Sequence, residues 1–228
     1  VDTLRSTKGR SYSACPSVAD WERAFGEDDD VLAFTITSGL SGSFRAACAA
    51  KLNCEENSPS RRICIIDSLS TGPEIVLLIE KAVSELSAGA DFDAVCRSVQ
   101  DYQRRTHLIF ALESLHNLAQ NGRVGKLAAA AAGMLGIRAV GTTSDEGTLD
   151  LLGKCRGRKR AVDFLQEEME RLGYTGGCVR IGHCRNTDSA GELRTAILHR
   201  FPGANIRIYP LRGLCSYYAS AAVFLLDL

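Results

Sequence analysis

Two stretches of this chain follow one local order, and that repetition limits the folds open to it. Val31–Ile36 is a short apolar run with β-branched members and reads as a buried strand. Thr37, Ser38, Gly39, Ser41, Gly42 and Ser43 then crowd into seven residues, and the Ala-rich Phe44–Leu52 suits a helix. Ile63–Ile66 is again apolar. It ends in Asp67, Ser68, Ser70, Thr71 and Gly72, and a helix follows over Pro73–Ser87 with proline in its first turn. Two strand–turn–helix units in succession imply parallel strands with right-handed crossovers. In such a sheet ligands sit beyond the C-terminal strand ends, so both polar turns are expected on one edge.

The first of these turns suits an anion. Backbone N–H groups at a helix start converge there, the helix dipole adds positive charge, and the hydroxyls of Ser38, Ser41 and Ser43 can donate to the same spot. The same residues also suit an ordinary helix cap packed closely on its strand. No Gly-Lys-Ser/Thr ending makes it a Walker loop, and the glycine spacing does not fit the dinucleotide fingerprint.

The wider composition excludes several classes. With 45% apolar and 24% charged residues over 228 positions, the chain is expected to be a soluble globular protein of one large domain or two modest ones. Lys plus Arg and Asp plus Glu are 27 each, so no basic excess argues for nucleic acid or a membrane surface. No apolar run spans a bilayer, and the N-terminus lacks the apolar core of a signal peptide. Nine scattered cysteines, without a C-x-x-C pair, read as reduced thiols of a cytoplasmic protein. Cys178, His183 and Cys184 do not match a known zinc ligand spacing, and no cofactor or metal is expected.

The rest of the chain alternates helices and strands. Residues 1–17 read as loop, with Ser17 as the N-cap of a helix over Val18–Phe25; Asn53–Arg62 reads as a second loop. Helices are expected over Ala90–Tyr102, Glu113–Leu118, the Ala-rich Lys126–Leu135, Ala161–Leu172 and Ser189–His199. Strands are expected over Leu108–Leu112, Ile137–Thr143, Thr148–Gly153, Cys178–His183, Ile206–Leu211 and Val223–Leu226, with Asp145-Glu-Gly147 turning a hairpin. The fold class is therefore two-domain α/β. A parallel-sheet N-terminal domain covers 1–87, and a mixed-sheet C-terminal domain covers 88–228.

Candidate catalytic groups are few. His107, His116, His183 and His199 stand alone in sequence, and neither Gly-x-Ser-x-Gly nor His-Glu-x-x-His occurs. Arg123, in Asn-Gly-Arg-Val-Gly, occupies a turn where a guanidinium could meet a carboxylate or another domain. Residues 154–160 concentrate five positive charges before a helix, either as a solvated helix start or as a docking patch for an acidic or phosphate-bearing partner.

Ile36-Thr-Ser-Gly-Leu-Ser-Gly-Ser-Phe44, Ile66-Asp-Ser-Leu-Ser-Thr-Gly72, the Asn-Gly-Arg-Val ending of Leu112–Gly125, Gly153-Lys-Cys-Arg-Gly-Arg-Lys-Arg-Ala161 and Ile181-Gly-His183 together resemble the DegV family of bacterial fatty-acid-binding proteins. The resemblance covers nearly the whole chain. It implies one long-chain fatty acid held between two α/β domains, its carboxylate gripped by hydroxyls of a Thr-Ser-x-Pro-Ser loop and of the Leu-Ser-Gly turn. The first maps onto Ser13-Ala-Cys-Pro-Ser17, so Ser13 replaces Thr; the second falls within Ser38, Ser41, Gly42 and Ser43. Asp67, Ser68, Arg123, Arg156 and His183 are further candidate pocket or partner contacts. Better understood members present the bound acid to a separate fatty acid kinase, which makes an acyl phosphate, and Arg156 is the expected kinase contact.

Two departures stand out. The family's first strand, ending in Asp-Ser, has no counterpart before Val1, which suggests a fragment or a shortened member. The family's His-Thr-Gly-Pro-Gly pattern is replaced by Leu211-Arg-Gly-Leu-Cys-Ser-Tyr-Tyr-Ala219. If that histidine serves phosphoryl transfer or docking, this chain is expected only to bind or carry lipid.

Energetics suit a carrier: about fifteen buried methylenes at about 0.8 kcal/mol each give on the order of 12 kcal/mol gross. Ordering the ligand offsets much of this. The tail would dominate affinity and the serines would set orientation. The alternative is an enzyme acting on a small carboxylated or phosphorylated substrate at the same turn, with Asp67 or His183 as general acid or base. A third reading is a docking module built on residues 154–160.

Overall fold

The computed structural model describes residues 12–27, 29–130, 136–219 and 223–225. Expectations that fall on residues 1–11, 131–135 and 226 lie outside them.

The first α/β unit is built as the repeated pattern requires. Helix α1 (Val18–Phe25) starts in a reciprocal capping box: Ser17 Oγ accepts the Asp20 N–H, and the Asp20 carboxylate accepts the Ser17 N–H at 2.9 Å. Strands β1 (Asp30–Thr35) and β2 (Arg62–Asp67) pair in parallel from Asp30 opposite Arg62 to Thr35 opposite Asp67. Helix α2 (Ser43–Asn57) crosses between them, and α3 (Pro73–Ser87) leaves the second turn. The pair is covered on both faces. Ala33 and Ile63 pack against Phe25, Ala47 and Ala50 on one side; Phe34 and Ile66 pack against Leu78, Ala82, Val95 and Val99 on the other. The last two belong to α4 (Phe92–Gln103), capped by Asp91. The expected change of domain near residue 88 falls between α3 and α4, and these two helices share one core.

The second unit is a mixed sheet. Strands β3 (Ile109–Leu112), β4 (Ile137–Thr143), β5 (Leu149–Arg156), β6 (Gly177–His183), β7 (Ala204–Pro210) and β8 (Val223–Leu225) stand in the order β5-β4-β3-β8-β6-β7. Among the described residues β6 and β7 form its parallel pair, and its other pairings are antiparallel. All four residues of β3 are buried, and alternation sends them to different cores. Ile109 and Ala111 meet α6 (Arg158–Arg171) and α7 (Thr187–Arg200), whereas Phe110 and Leu112 face the first unit.

Several boundaries differ from the sequence expectation, each for a local reason. The Asn53–Arg62 loop shrinks because α2 continues to Asn57. Asn53 ties that extension to Glu22 of α1 at 2.6 Å, and the Asn57 amide donates back to the Asn53 carbonyl. The helix expected over Glu113–Leu118 forms instead as α5 (His116–Gln120), since Glu113 is drawn into an ion pair with Arg138 and the Ser114 hydroxyl accepts the His116 N–H. Gly125–Ala130 is a 3-10 turn that buries Leu127. Strand β5 runs on to Arg156 because it stays paired with β4 as far as Ile137. The basic run is thus divided between a strand end and a helix start, and Arg158 and Arg160 pair with Glu192 and Glu167. Helix α8 (Gly213–Ala219) was not anticipated.

Two contacts fix the units against each other. At one, Thr37 Oγ1 donates to the Gly147 carbonyl at the β4–β5 hairpin tip, at 2.8 Å. The approach needs glycine on both sides. A Cβ on Gly147, whose φ is +73°, would stand 1.9 Å from Thr37 Oγ1, and one on Gly39 would stand 2.8 Å from the carbonyl oxygens of Glu146 and Gly147. At the other, Arg180 of β6, 3% exposed, donates to Glu80 of α3, which also accepts from Arg207 and Tyr209. Burial works against the Glu80 charge, but the Arg180 hydrogen bonds and charge, with Tyr209 and Arg207, outweigh it and hold the carboxyl below the usual range.

Glu80→Gln is therefore expected to cost about 1.5–3 kcal/mol by chemical denaturation at neutral pH, the range for a hydrogen bond to a charged group. The gap between wild type and variant should be full above the ordinary carboxyl value of 4.5 and shrink as pH falls through the lower folded value. Gly147→Ala should cost roughly 1–3 kcal/mol through backbone strain alone. Thermal denaturation should show Gly147→Ala/Thr37→Ala regaining only the part due to the hydroxyl collision.

Candidate functional site

Between the two units lies a cavity of about 860 Å³, a figure that takes in the open solvent at its mouth. Its walls combine apolar and polar residues. Ile36 and Leu40 come from the first turn, Phe110 and Leu112 from β3, Leu118 from α5 and Leu149 from β5, forming a continuous apolar lining. Ser13, Ser41, Ser43, Thr71 and Arg123 supply the polar groups. The placement follows from the fold: the 36–43 and 71–72 turns lie at the C-terminal ends of parallel β1 and β2, and the even-numbered residues of β3 project toward them.

Hydrogen-bond inventory shows what the polar group can do. The Ser43 N–H donates to Ser41 Oγ at 3.2 Å, which leaves the Ser41 O–H free to donate elsewhere. Gly42 contributes closeness rather than a side chain, for a Cβ there would stand 3.2 Å from Cys15 Sγ. The guanidinium of Arg123 is held by the Leu40 carbonyl through Nε at 3.0 Å and by the Asn121 carbonyl through NH1 at 3.1 Å, and it lies over the Tyr218 ring. Ser13 Oγ is 2.6 Å from the Tyr218 hydroxyl. The cavity lining therefore offers O–H donors and a cation, a set that suits an acceptor-only anionic head.

The sequence-selected residues divide into two groups. Ser13, Ser41, Ser43 and Arg123 line the cavity, and Gly42 sits between two of them. Ser38, Asp67, Ser68, Arg156 and His183 do not line it. The Ser38 N–H and the Leu69 N–H both donate to Asp67 Oδ1, at 3.0 and 3.2 Å, so this carboxylate braces the two turns. Ser68 is 1% exposed and closes its own turn, donating to the Ser70 carbonyl and accepting the Ser70 N–H. Arg156 ends β5 on the exposed surface. His183 is buried at the end of β6. Its Nδ1 accepts the Asn186 N–H at 3.3 Å at the start of α7, and burial lowers its pKa, so the ring is neutral. Neither acid–base candidate of the enzyme alternative thus reaches the cavity wall. Among the described residues no three His, Cys, Asp or Glu side chains converge to hold a metal, and no helix is long and apolar enough to cross a membrane.

Helix α8 adds residues that the sequence reading missed. Leu214, Cys215 and Tyr218, at i, i+1 and i+4, turn one face to the cavity. Its other side is pinned: Ser216 Oγ donates to the Leu211 carbonyl, and the Asn121 amide donates to the Tyr217 hydroxyl at 2.9 Å. The signal was the i, i+4 spacing of Leu214 and Tyr218.

Comparison with known proteins agrees across the chain. The sequence matches the family described as uncharacterised DegV proteins over residues 1–224. A DegV domain-containing protein of Streptococcus pneumoniae is 41% identical over 219 residues, which is 96% of this chain and 78% of that protein. The solved structure of a DegV family protein from Eubacterium eligens, loaded with heptadecanoic acid, aligns with a TM-score of 0.93 at 41% identity, covering 98% of this chain and 82% of that one. The fatty acid kinase B3 protein of Streptococcus pneumoniae, loaded with linoleic acid, aligns with a TM-score of 0.94 at 39% identity, covering 99% of this chain and 81% of that one. The two-unit α/β fold, the cavity between its sheets and these matches agree: this chain belongs to the DegV family.

Proposed function

We propose that this protein binds a long-chain fatty acid between its two α/β units and presents the carboxylate to a fatty acid kinase. The observation that carries the reading is the make-up of the cavity lining, which joins the hydroxyls of Ser13, Ser41 and Ser43 and the Arg123 guanidinium to Leu40, Phe110, Leu112, Leu118 and Leu149. The carboxylate accepts from Ser13, Ser41 and Ser43 and lies within the field of Arg123; the acyl chain runs along Leu40, Leu112, Leu118 and Leu149. Ser38 and Asp67 serve this site indirectly by holding the two turns together, and Ser68 by closing the second turn. Two relatives whose structures hold fatty acids, one of them a fatty acid kinase component, support the same reading.

The kinase contact falls on the exposed basic strand end around Arg156. Of that run, Arg158 and Arg160 already pair with glutamates on their own unit. A kinase needs a phosphoryl donor, which places the working protein in the cytoplasm. The zero net charge offers nucleic acid no electrostatic foothold. Chemistry on the head group belongs to the partner, and this chain acts as a carrier.

Organic extraction of the purified protein followed by mass spectrometry should yield a long-chain fatty acid; protein that carries none and binds none when it is added would overturn the reading. Shortening the acid by two methylenes should weaken binding about fifteenfold, given about 0.8 kcal/mol per buried methylene. Arg156→Glu should leave fatty-acid affinity within twofold of wild type and abolish stimulation of the kinase, read as acyl phosphate formed per minute. Full stimulation by that variant would remove Arg156 from the interface.

A further inference from the structure

We propose that Tyr218 directs the hydroxyl proton of Ser13 and thereby makes the pocket favour an ionised carboxylate over a neutral head of the same chain length. The inference rests on the fatty-acid reading above and adds a positioning residue to it.

The geometry is a chain of three groups. Arg123 is fixed by two carbonyls, those of Leu40 and Asn121, and its guanidinium carbon lies 5.8 Å from the centroid of the Tyr218 ring. The Tyr218 hydroxyl lies 2.6 Å from Ser13 Oγ, and either can donate. Chemistry chooses between them. A phenol, with pKa about 10, is the more acidic and so the better donor of the two. Tyr218 therefore donates, Ser13 Oγ accepts, and the single Ser13 proton is left to point at the ligand.

Such a chain strengthens cooperatively and gains most when its last acceptor is an anion. An alcohol head can still accept from Ser13, but it gains no charge-assisted bond. Tyr218 is well placed to hold this arrangement: it stands on the cavity face of α8, while Tyr217, 4.8 Å away ring to ring, anchors the opposite side through Asn121.

The test measures dissociation constants for heptadecanoic acid and 1-heptadecanol with wild type, Tyr218→Phe, Ser13→Ala and the double variant. Tyr218→Phe keeps the ring beneath Arg123 and removes one oxygen; Ser13→Ala probes the same coupling without touching α8. Tyr218→Phe should weaken acid binding about five- to tenfold, as expected for loss of one link in a charge-assisted chain, and change alcohol binding less than twofold. In the Ser13→Ala background the same change should alter acid binding less than twofold, because its target is gone. Equal loss for acid and alcohol, no loss for the acid, or an undiminished effect without Ser13 would each overturn the role of Tyr218 while leaving fatty-acid binding intact. Wild type that binds no acid would overturn both readings.

Discussion

The hydroxyl of Thr37 reaches from the first sheet to the carbonyl of Gly147 on the second, and the cavity owes its position to that contact. Thr37 is fully buried, and its Oγ1 also accepts the N–H of Gly39, so the turn and the hairpin tip share one polar point. The two backbones come close enough to meet only because neither Gly39 nor Gly147 carries a side chain. A second bond between neighbouring segments, from the Thr37 N–H to the Ser70 carbonyl at 2.8 Å, locks the two polar turns side by side. Within the turn so held, Ser41 and Ser43 line the cavity, which β3 walls with Phe110 and Leu112.

Rigid placement of the turns allows the apolar and polar residues of the cavity to do different jobs. In the proposed fatty-acid reading, affinity comes from the walls, since water released from leucine and phenylalanine surface scales with the length of the tail. In the same reading, orientation comes from the hydroxyls of Ser13, Ser41 and Ser43 and from Arg123, which line the same cavity. The buried Arg180–Glu80 pair plays a complementary part away from the ligand. It holds α3 on β6, where Gly182 leaves room for Pro73 and Leu211, and so keeps the start of α3 against the second sheet. Pairs of this kind are costly to desolvate, and their worth lies as much in fixing one arrangement as in stability.

The parts of this fold that could be read in the sequence are those set by local chemistry. Val31–Ile36 and Ile63–Ile66 announce buried strands because β-branched runs between Gly/Ser clusters have few other solutions. Asp145-Glu-Gly147 forms the hairpin it predicts, with glycine at positive φ. Ser17 caps α1 for the reason its spacing from Asp20 suggests. Other segments were decided by partners distant in the chain. Helix α2 outruns its expected end because Asn53 finds Glu22, and Glu113 leaves the expected helix because Arg138 claims it. Ser38 and Ser41 look equivalent in the sequence, yet the backbone turn between them sends one to brace Asp67 and the other to the cavity.

What the sequence by itself determined is the type of protein: two strand–turn–helix units with parallel strands, a hydroxyl-rich turn at their C-terminal edge, and a second unit with a hairpin. Period, turn residues and composition are local properties, and they survive without knowledge of what packs on what. Only the tertiary structure decided which hydroxyls share a cavity, that His183 is buried at the end of β6 and does not line it, and that Tyr218 meets Ser13 across 205 positions of chain. Those outcomes depend on the angle and spacing between two sheets. That geometry comes from a few glycine-permitted approaches and buried polar bonds, and no periodicity along the chain encodes it.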